Sequence, residues 1–287
     1  LLILDIALQN KQEVLLSVDQ DSLAVRSVQL RVVPPHFFVV DGTMPFIFRG
    51  NTDDWRASSV LDQPFYFSQF QIMDSASIAI RAISSQTNEN ILGKISLSDT
   101  AKVSLSGRLL QKQLDGIFDT DGLLHYNRQL DKLVYTYFYR NQYIVADDSL
   151  QLKLMGNTID TISHAQLEVG TIASKSQRKL AAPALRVNKY SATYGNYLFV
   201  SSKLLGRDEP IKMWEVASVI DVYDIVENTY QFSFYIDDIG KDKLKTFQVL
   251  NDKFIGLIGN QIVTYQLKGN RFKDLQPIHA TALYPKL

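Results

Sequence analysis

Along most of the chain, apolar and polar positions alternate with a period of two, the pattern of β-strands rather than helices. The stretch LVYTYFYRNQYIVADDSL, Leu133 to Leu150, shows it most plainly. Leu133, Tyr135, Tyr137 and Tyr139 point to one face, while Val134, Thr136 and Phe138 point to the other. Tyr143 and Val145 then alternate with Ile144 and Ala146. Arg140-Asn141 reads as a two-residue turn, because Asn tolerates positive φ. That turn sets Phe138 opposite Tyr143 and Tyr137 opposite Ile144. Both faces of the hairpin are apolar and aromatic, so the pattern predicts a sheet held between two other layers.

The same signature returns along the chain. LRVVPPHFFVVDGTMPFIF (30–48) predicts strands broken at Pro34-Pro35 and at Asp41-Gly42, and FYFSQFQIMDSASIAIRAISS (65–85) predicts two more. YGNYLFVSSKLL (194–205) is expected to pair with SVIDVYDIV (218–226) and YQFSFYI (230–236). TFQVLNDKFIGLIGNQIVTYQL (246–267) divides into three short strands at Asn251-Asp252 and Gly259-Asn260. Helical pattern is scarce. The best candidate is SHAQLEVGTIA (163–173), opposed by Gly170 and its β-branched residues. SKSQRK (174–179) reads as an exposed loop and SKLLGRDEPIKMW (202–214) as a long insertion between strands.

The expected class is therefore all-β. Strand units centre near Phe38, Ile78, Val134, Phe199 and Phe254, a spacing on the order of 40–65 residues that matches a propeller blade. The terminal pieces LLILDIALQNKQEVLLSVD and IHATALYPKL are each too short for a blade. Joined, they predict a sixth, which closes the ring and removes two free sheet edges. No low-complexity linker divides the chain, so residues 1–287 are expected to form a single β-propeller domain, with two tandem sandwiches as the alternative.

Composition narrows the chemistry. The chain has 287 residues, 46% apolar and 21% charged, enough for a full core. Thirty basic residues balance thirty acidic ones with no long basic run, which argues against nucleic acid as a partner. There is no cysteine, so disulfides, thiolate nucleophiles and Cys-ligated metals are excluded. LLILDIAL at the start is too short to span a bilayer and lacks the basic flank of a signal peptide, so it reads as a strand.

DGLLHYNRQLDKLVYTYFYRNQYIVADDSLQLKLMGNTIDT (121–161), VNKYSATYGNYLFVSSKLLGRDE (187–209) and SVIDVYDIVENTYQFSFYI (218–236) resemble the bacterial TolB-like six-bladed β-propeller proteins, a largely uncharacterised group. The resemblance extends over residues 36–267. It implies an exported protein of the bacterial cell envelope, periplasmic or anchored to the outer membrane as a lipoprotein. The lipid-bearing cysteine of such an anchor is not in this sequence. The motifs are structural, and no active site comes with them.

Candidate catalytic patterns fail on spacing. The histidines at 36, 125, 164 and 279 have no metal-ligand spacing and read as surface or turn residues. DTDG (119–122) opens like a calcium loop, but Leu124 stands where the turn glycine must be, so a tight turn before the next strand is the better reading. SQRK (Ser176 to Lys179) matches S-x-x-K without its companion motifs. The adjacent acids Asp53-Asp54, Asp147-Asp148 and Asp237-Asp238 point to opposite sides of an extended chain and make poor acid/base pairs. No phosphate-cradling glycine motif occurs. The expectation is a non-catalytic binding or scaffold propeller that engages a protein, peptide or glycan on one rim, without metal or cofactor. Its candidate contacts are Arg140 and Asn141 in the aromatic hairpin's turn, and Arg207 and Glu209 in GRDE, where a guanidinium reads a carboxylate or phosphate with two hydrogen bonds. The alternative is a carbohydrate-active hydrolase or lyase with its site at the central channel.

Overall fold

The computed structural model describes residues 1–5, 8–20, 22–97, 101–172, 177–206, 209–267 and 272. Five antiparallel meanders succeed one another and form the blades of a β-propeller. Blade I holds strands Gln29–Val33, His36–Asp41, Phe46–Asn51 and Arg56–Ser59, with Ser17–Val18 added in parallel outside the last. Blade II holds Gln69–Asp74, Ser77–Ile83, Asn90–Ser96 and Lys102–Ser106. Blade III holds Gly122–Asn127, Lys132–Tyr137, Gln142–Asp147 and Leu152–Asn157. Blade IV holds Asn188–Tyr194, Tyr197–Ser202, Ala217–Asp224 and Thr229–Asp237, and blade V the three strands Leu244–Leu250, Lys253–Ile258 and Gln261–Gln266. The five residues on which the sequence units centre all fall on the second strand of a blade.

Blades II to IV are apolar on both faces because each face packs on a different neighbour. Leu133, Tyr135 and Tyr137 meet Met73, Ala79 and Leu92 of blade II, whereas Val134, Tyr143 and Val145 meet Leu198, Val200 and Tyr223 of blade IV. The alternation of the aromatic hairpin is thus a packing pattern, with large rings filling the wedge between sheets. The Tyr135 hydroxyl donates to the Thr120 carbonyl at 2.7 Å and accepts from Arg81 at 3.1 Å, so its polar end is satisfied in the interior. Phe38, Val40 and Ile47 join blade I to blade II in the same way, and Phe199, Ile220 and Val222 join blade IV to Phe247, Val249 and Phe254 of blade V. The other face of blade I, with Phe37, Val39, Phe48 and Ala57, is covered by Leu16, Val18 and Leu23 from the N-terminal segment.

The first strands of the blades all run in one direction around the axis. Gln69 and Gln71 reach Gly122 and Leu124, while His125 and Asn127 reach Ser191 and Thr193, so the paired numbers rise together. Connections between second and third strands, and between blades, therefore open on one face of the disc. The segments 60–68, 107–121, 158–172, 177–187, 203–206 and 209–216 lie on that loop face. The opposite, turn face carries tight turns such as those at Asp131, Gly195, Asn228 and Asn251, each at positive φ.

Three expectations need correction. The aromatic hairpin pairs Thr136 with Tyr143 and Tyr135 with Ile144, leaving Phe138 to Asn141 as a four-residue connection rather than a two-residue turn. The backbone there is held by other segments: Phe138 donates to Asp121 and accepts from Val187, and Asn141 donates to Ile162. The faces are unchanged, since the register differs by two. Residues 163–168 are not helical, and Val169–Ile172 is a strand paired with Gln177–Leu180, which removes the 163–173 helix and part of the 174–179 loop. Helix Ile211–Val216 lies instead in the insertion at 202–214. The N-terminal piece forms a hairpin of Leu2–Leu4 with Lys11–Glu13 and an edge strand on blade I; IHATALYPKL lies outside the described residues, and five blades are seen.

Replacing Gln69 by Leu leaves the Gly122 carbonyl and the Leu124 amide without their side-chain partner. Unfolding in urea should show a loss of about 1–3 kcal/mol. Gln231→Leu, at an exposed outer strand, should stay within about 0.5 kcal/mol. Equal effects of the two would show that the inter-blade bridge does not stabilise the ring.

Candidate functional site

The first strands repeat a short polar-apolar-polar motif: Gln29-Leu30-Arg31, Gln69-Phe70-Gln71, Ser191-Ala192-Thr193 and Thr246-Phe247-Gln248. In an extended strand the outer two residues of each share a face and the middle one takes the other. The middle residues enter the blade cores, and the polar ones turn to the axis, where they line a cavity of about 750 Å³. Blade III contributes Leu123, His125 and, from its turn, Arg128 to the same wall.

Many of these groups are already engaged. The Gln69 amide donates to the Gly122 carbonyl at 2.6 Å and accepts from the Leu124 amide at 2.9 Å, and Gln71 donates to the Leu124 carbonyl at 2.7 Å. His125 Nε2 shares a hydrogen bond of 2.8 Å with Ser191 Oγ, and Asn127 donates to Thr193 Oγ1 at 2.6 Å. Burial pushes the His125 imidazole down to about 4, so it is neutral at physiological pH. Arg31 donates to the Leu30 carbonyl and to Gln29 Oε1, with its guanidinium 5.2 Å from the Phe70 ring centre. Arg128 donates to the Ile72 carbonyl at 3.0 Å. No Asp, Glu or Lys lines this cavity among the described residues.

A second cavity, of about 560 Å³, opens on the loop face and is lined by Asp160, Asp221 and Glu209 together with Ser202 and Leu205. Asp221 is 4% exposed. Burial pushes its carboxyl up to about 6, the Ser233 hydroxyl opposes that shift, and the charges of Glu209 and Asp160 reinforce it.

The rim residues expected from sequence fare unequally. Arg140 is 1% exposed, stacked 3.7 Å from the Tyr137 ring centre and donating to the Gln111 carbonyl at 2.8 Å. Its side chain tethers the 107–121 connection beneath the surface and presents no fork to a ligand, a correction to its expected exposure. Asn141 donates to the carbonyl of Asp160, which lines the acidic cavity, and Glu209, accepting from the Gly206 amide at 3.2 Å, lines that cavity itself. Arg207 lies outside the described residues, as do Ser176 of the S-x-x-K match and His279. His125, expected at a surface or turn, stands in the channel wall. Asp119 accepts from the backbone amides of Gln113, Leu114 and Gly116, so the DTDG aspartate organises its own loop. The channel residues were missed as a set, although the polar-apolar-polar repeat at each unit's first strand marks them. Among the described residues no group of three or more metal-ligating side chains converges, and no helix is long and apolar enough to cross a membrane.

No family model matches the chain, and no curated protein does. Solved structures similar to it include a member of the duf4221 family from Bacteroides vulgatus, 14% identical over 81% of this chain and 76% of that one, with a TM-score of 0.47. The β-propeller domain of the Trilobed protease from Pyrococcus furiosus, described as having an open velcro topology, is 11% identical over 84% and 82%, with a TM-score of 0.44. A candidate exported protein from Bacteroides fragilis is 9% identical over 83% and 80%, with a TM-score of 0.35. These are likenesses of fold.

Two titrations follow. The folded-state value of His125 lies below its unfolded value of about 6.5, so the stability it contributes is complete above that pH and is lost as pH falls towards about 4. Urea unfolding between these limits should show His125→Gln removing a pH-dependent component of roughly 1–3 kcal/mol. Asp221 behaves oppositely: its folded value is raised, so stability is lost as pH rises from about 4 to about 6. Asp221→Asn, which keeps an acceptor for Ser233, should be more stable than the parent at pH 7–8 by roughly 1–3 kcal/mol and no more stable near pH 4.

Proposed function

We propose that the chain is a non-catalytic binding propeller of the bacterial cell envelope, a single TolB-like domain whose loop face docks a protein partner. One observation carries the docking reading, the unequal exposure of apolar side chains on the two faces. Tyr66 and Ile211 are 67% and 65% exposed, and Ile83, Leu114, Ile159 and Leu205 are also exposed on or beside the long loops. On the turn face the exposed apolar side chains are Val32, Leu152, Val226, Tyr230, Leu250 and Tyr265, none of them more than 54% exposed. Apolar groups dispersed over several mobile-length connections, with polar groups between them, suit a protein surface rather than a small molecule. The envelope assignment follows from the resemblance over residues 36–267, and a sixth blade closed by the termini belongs to the same reading.

A hydrolase in the channel finds no comparable support. Hydrolysis of a glycoside uses two carboxyl groups flanking the bond, and the described channel wall contains neither Asp nor Glu.

Photo-cross-linking residues placed at Tyr66 and Ile211 should yield one adduct of common mass in living cells. The same residues at Val226 and Tyr265 should yield none, and Ile211→Glu should abolish the adduct formed from position 66. Adducts formed equally from both faces, or none from the loop face, would overturn this reading.

A further inference from the structure

The channel holds two cations and no counter-charge. Arg31 and Arg128 are the charged side chains among the cavity's described lining residues, and neither belongs to an ion pair. They stand on either side of one strand: Arg31 reaches over Phe70 from blade I, and Arg128 reaches the Ile72 carbonyl from blade III. The guanidinium of Arg31 is half-buried, and its protein partners are the neutral Leu30 carbonyl and Gln29 amide oxygen. Burial alone lowers its basicity, with no neighbouring acid to restore it. Burial lowers the basicity of Arg128 as well, opposed by Tyr126 and then by Asp74, with which it forms no ion pair.

The opposite wall is neutral and hydrogen-bonding. Thr246 and Gln248 of blade V line the cavity and are exposed, and their side chains have no hydrogen-bond partner among the described residues. Tyr126 and Tyr190 add aromatic surface to the same cavity. A volume of about 750 Å³ lies within the range of small-molecule sites. We propose that this channel binds an anionic sugar, with its carboxylate or phosphate received between Arg31 and Arg128 and its hydroxyls by Thr246 and Gln248. Guanidinium groups hold such oxyanions through paired, charge-assisted hydrogen bonds. Amide and hydroxyl side chains donate and accept at once, as sugar hydroxyls require. The site performs no bond cleavage and lies at the axis, apart from the loop face, so either proposal stands if the other fails.

Titration calorimetry on the full chain with glucuronate, glucose 6-phosphate, glucose and inorganic phosphate tests it. At least one anionic sugar should bind at millimolar concentration or tighter, with glucose and inorganic phosphate each about tenfold weaker or worse. Which of the two anionic sugars is preferred tells carboxylate from phosphate. Arg31→Met should weaken that binding about ten- to hundredfold. Gln248→Leu, at an exposed position that disturbs no protein hydrogen bond, should weaken it several-fold while leaving the thermal midpoint unchanged. Arg56→Met, on an outer strand, should change nothing. Glucose binding as tightly as both anionic sugars, inorganic phosphate binding as tightly as either, undiminished affinity in Gln248→Leu, or no binding of any probe would overturn the assignment.

Discussion

The first strand of a propeller blade has one edge paired within its sheet and one edge turned towards the axis. Its backbone amides and carbonyls on that free edge are drawn close to the neighbouring blade, where leaving them unpaired costs about 1–3 kcal/mol each. This protein meets the constraint with side chains. Gln69 presents a carbonyl and an amide to Leu124 and Gly122 just as another strand would, and Gln71 continues the bridge. Asn188 donates to the Tyr137 and Arg140 carbonyls at 2.8 and 3.0 Å, and Lys189 donates to the Leu244 carbonyl at 3.2 Å. The blades are thus joined near the axis by polar contacts and, further out, by the apolar clusters between their faces.

That arrangement has a consequence for function. A channel wall built from glutamine, serine, threonine and histidine is polar because the strand edges need partners, whatever else it does. Side chains spoken for by backbone groups are poor ligands, and this separates structural from available polarity. Gln69, His125 and Thr193 are engaged. The side chains of Thr246 and Gln248 and most of the Arg31 guanidinium are not, and all three line the cavity.

Fold class was legible because a period of two survives in any strand, and because turns need Asn, Asp or Gly at positive φ; Asn251 and Gly259, in the turns read from sequence, have φ of 54° and 61°. What failed were features set by distant segments. The length of the hairpin turn at Phe138–Asn141 depends on bonds to Asp121, Ile162 and Val187, none of them local. The strands Val169–Ile172 and Gln177–Leu180 are short, so the first fell within a helix candidate and most of the second within a polar stretch that reads as a loop, and Ile211–Val216 is too brief for a helical period to show. Arg140 looked exposed because it is charged and near a turn. The phenol ring beneath it belongs to Tyr137, three residues earlier, but the connection that covers it runs in from blade II, distant in sequence.

Arg140 and Arg31 make the sharper contrast, since both are arginines stacked on an aromatic ring without an acid partner. Arg140 is enclosed and two of its guanidinium nitrogens have no hydrogen-bond partner among the described residues, so its charge rests on the Tyr137 ring and the Gln111 carbonyl. A cation so placed costs stability unless the ring and carbonyl offset its desolvation, which ties the 107–121 connection to blade III in one geometry. Arg31 has the same chemistry but borders a water-sized to sugar-sized space. The difference between a tether and a binding group therefore lies in access rather than residue type. Access is decided by which blade faces which, a property of how the blades are arranged and of no single strand.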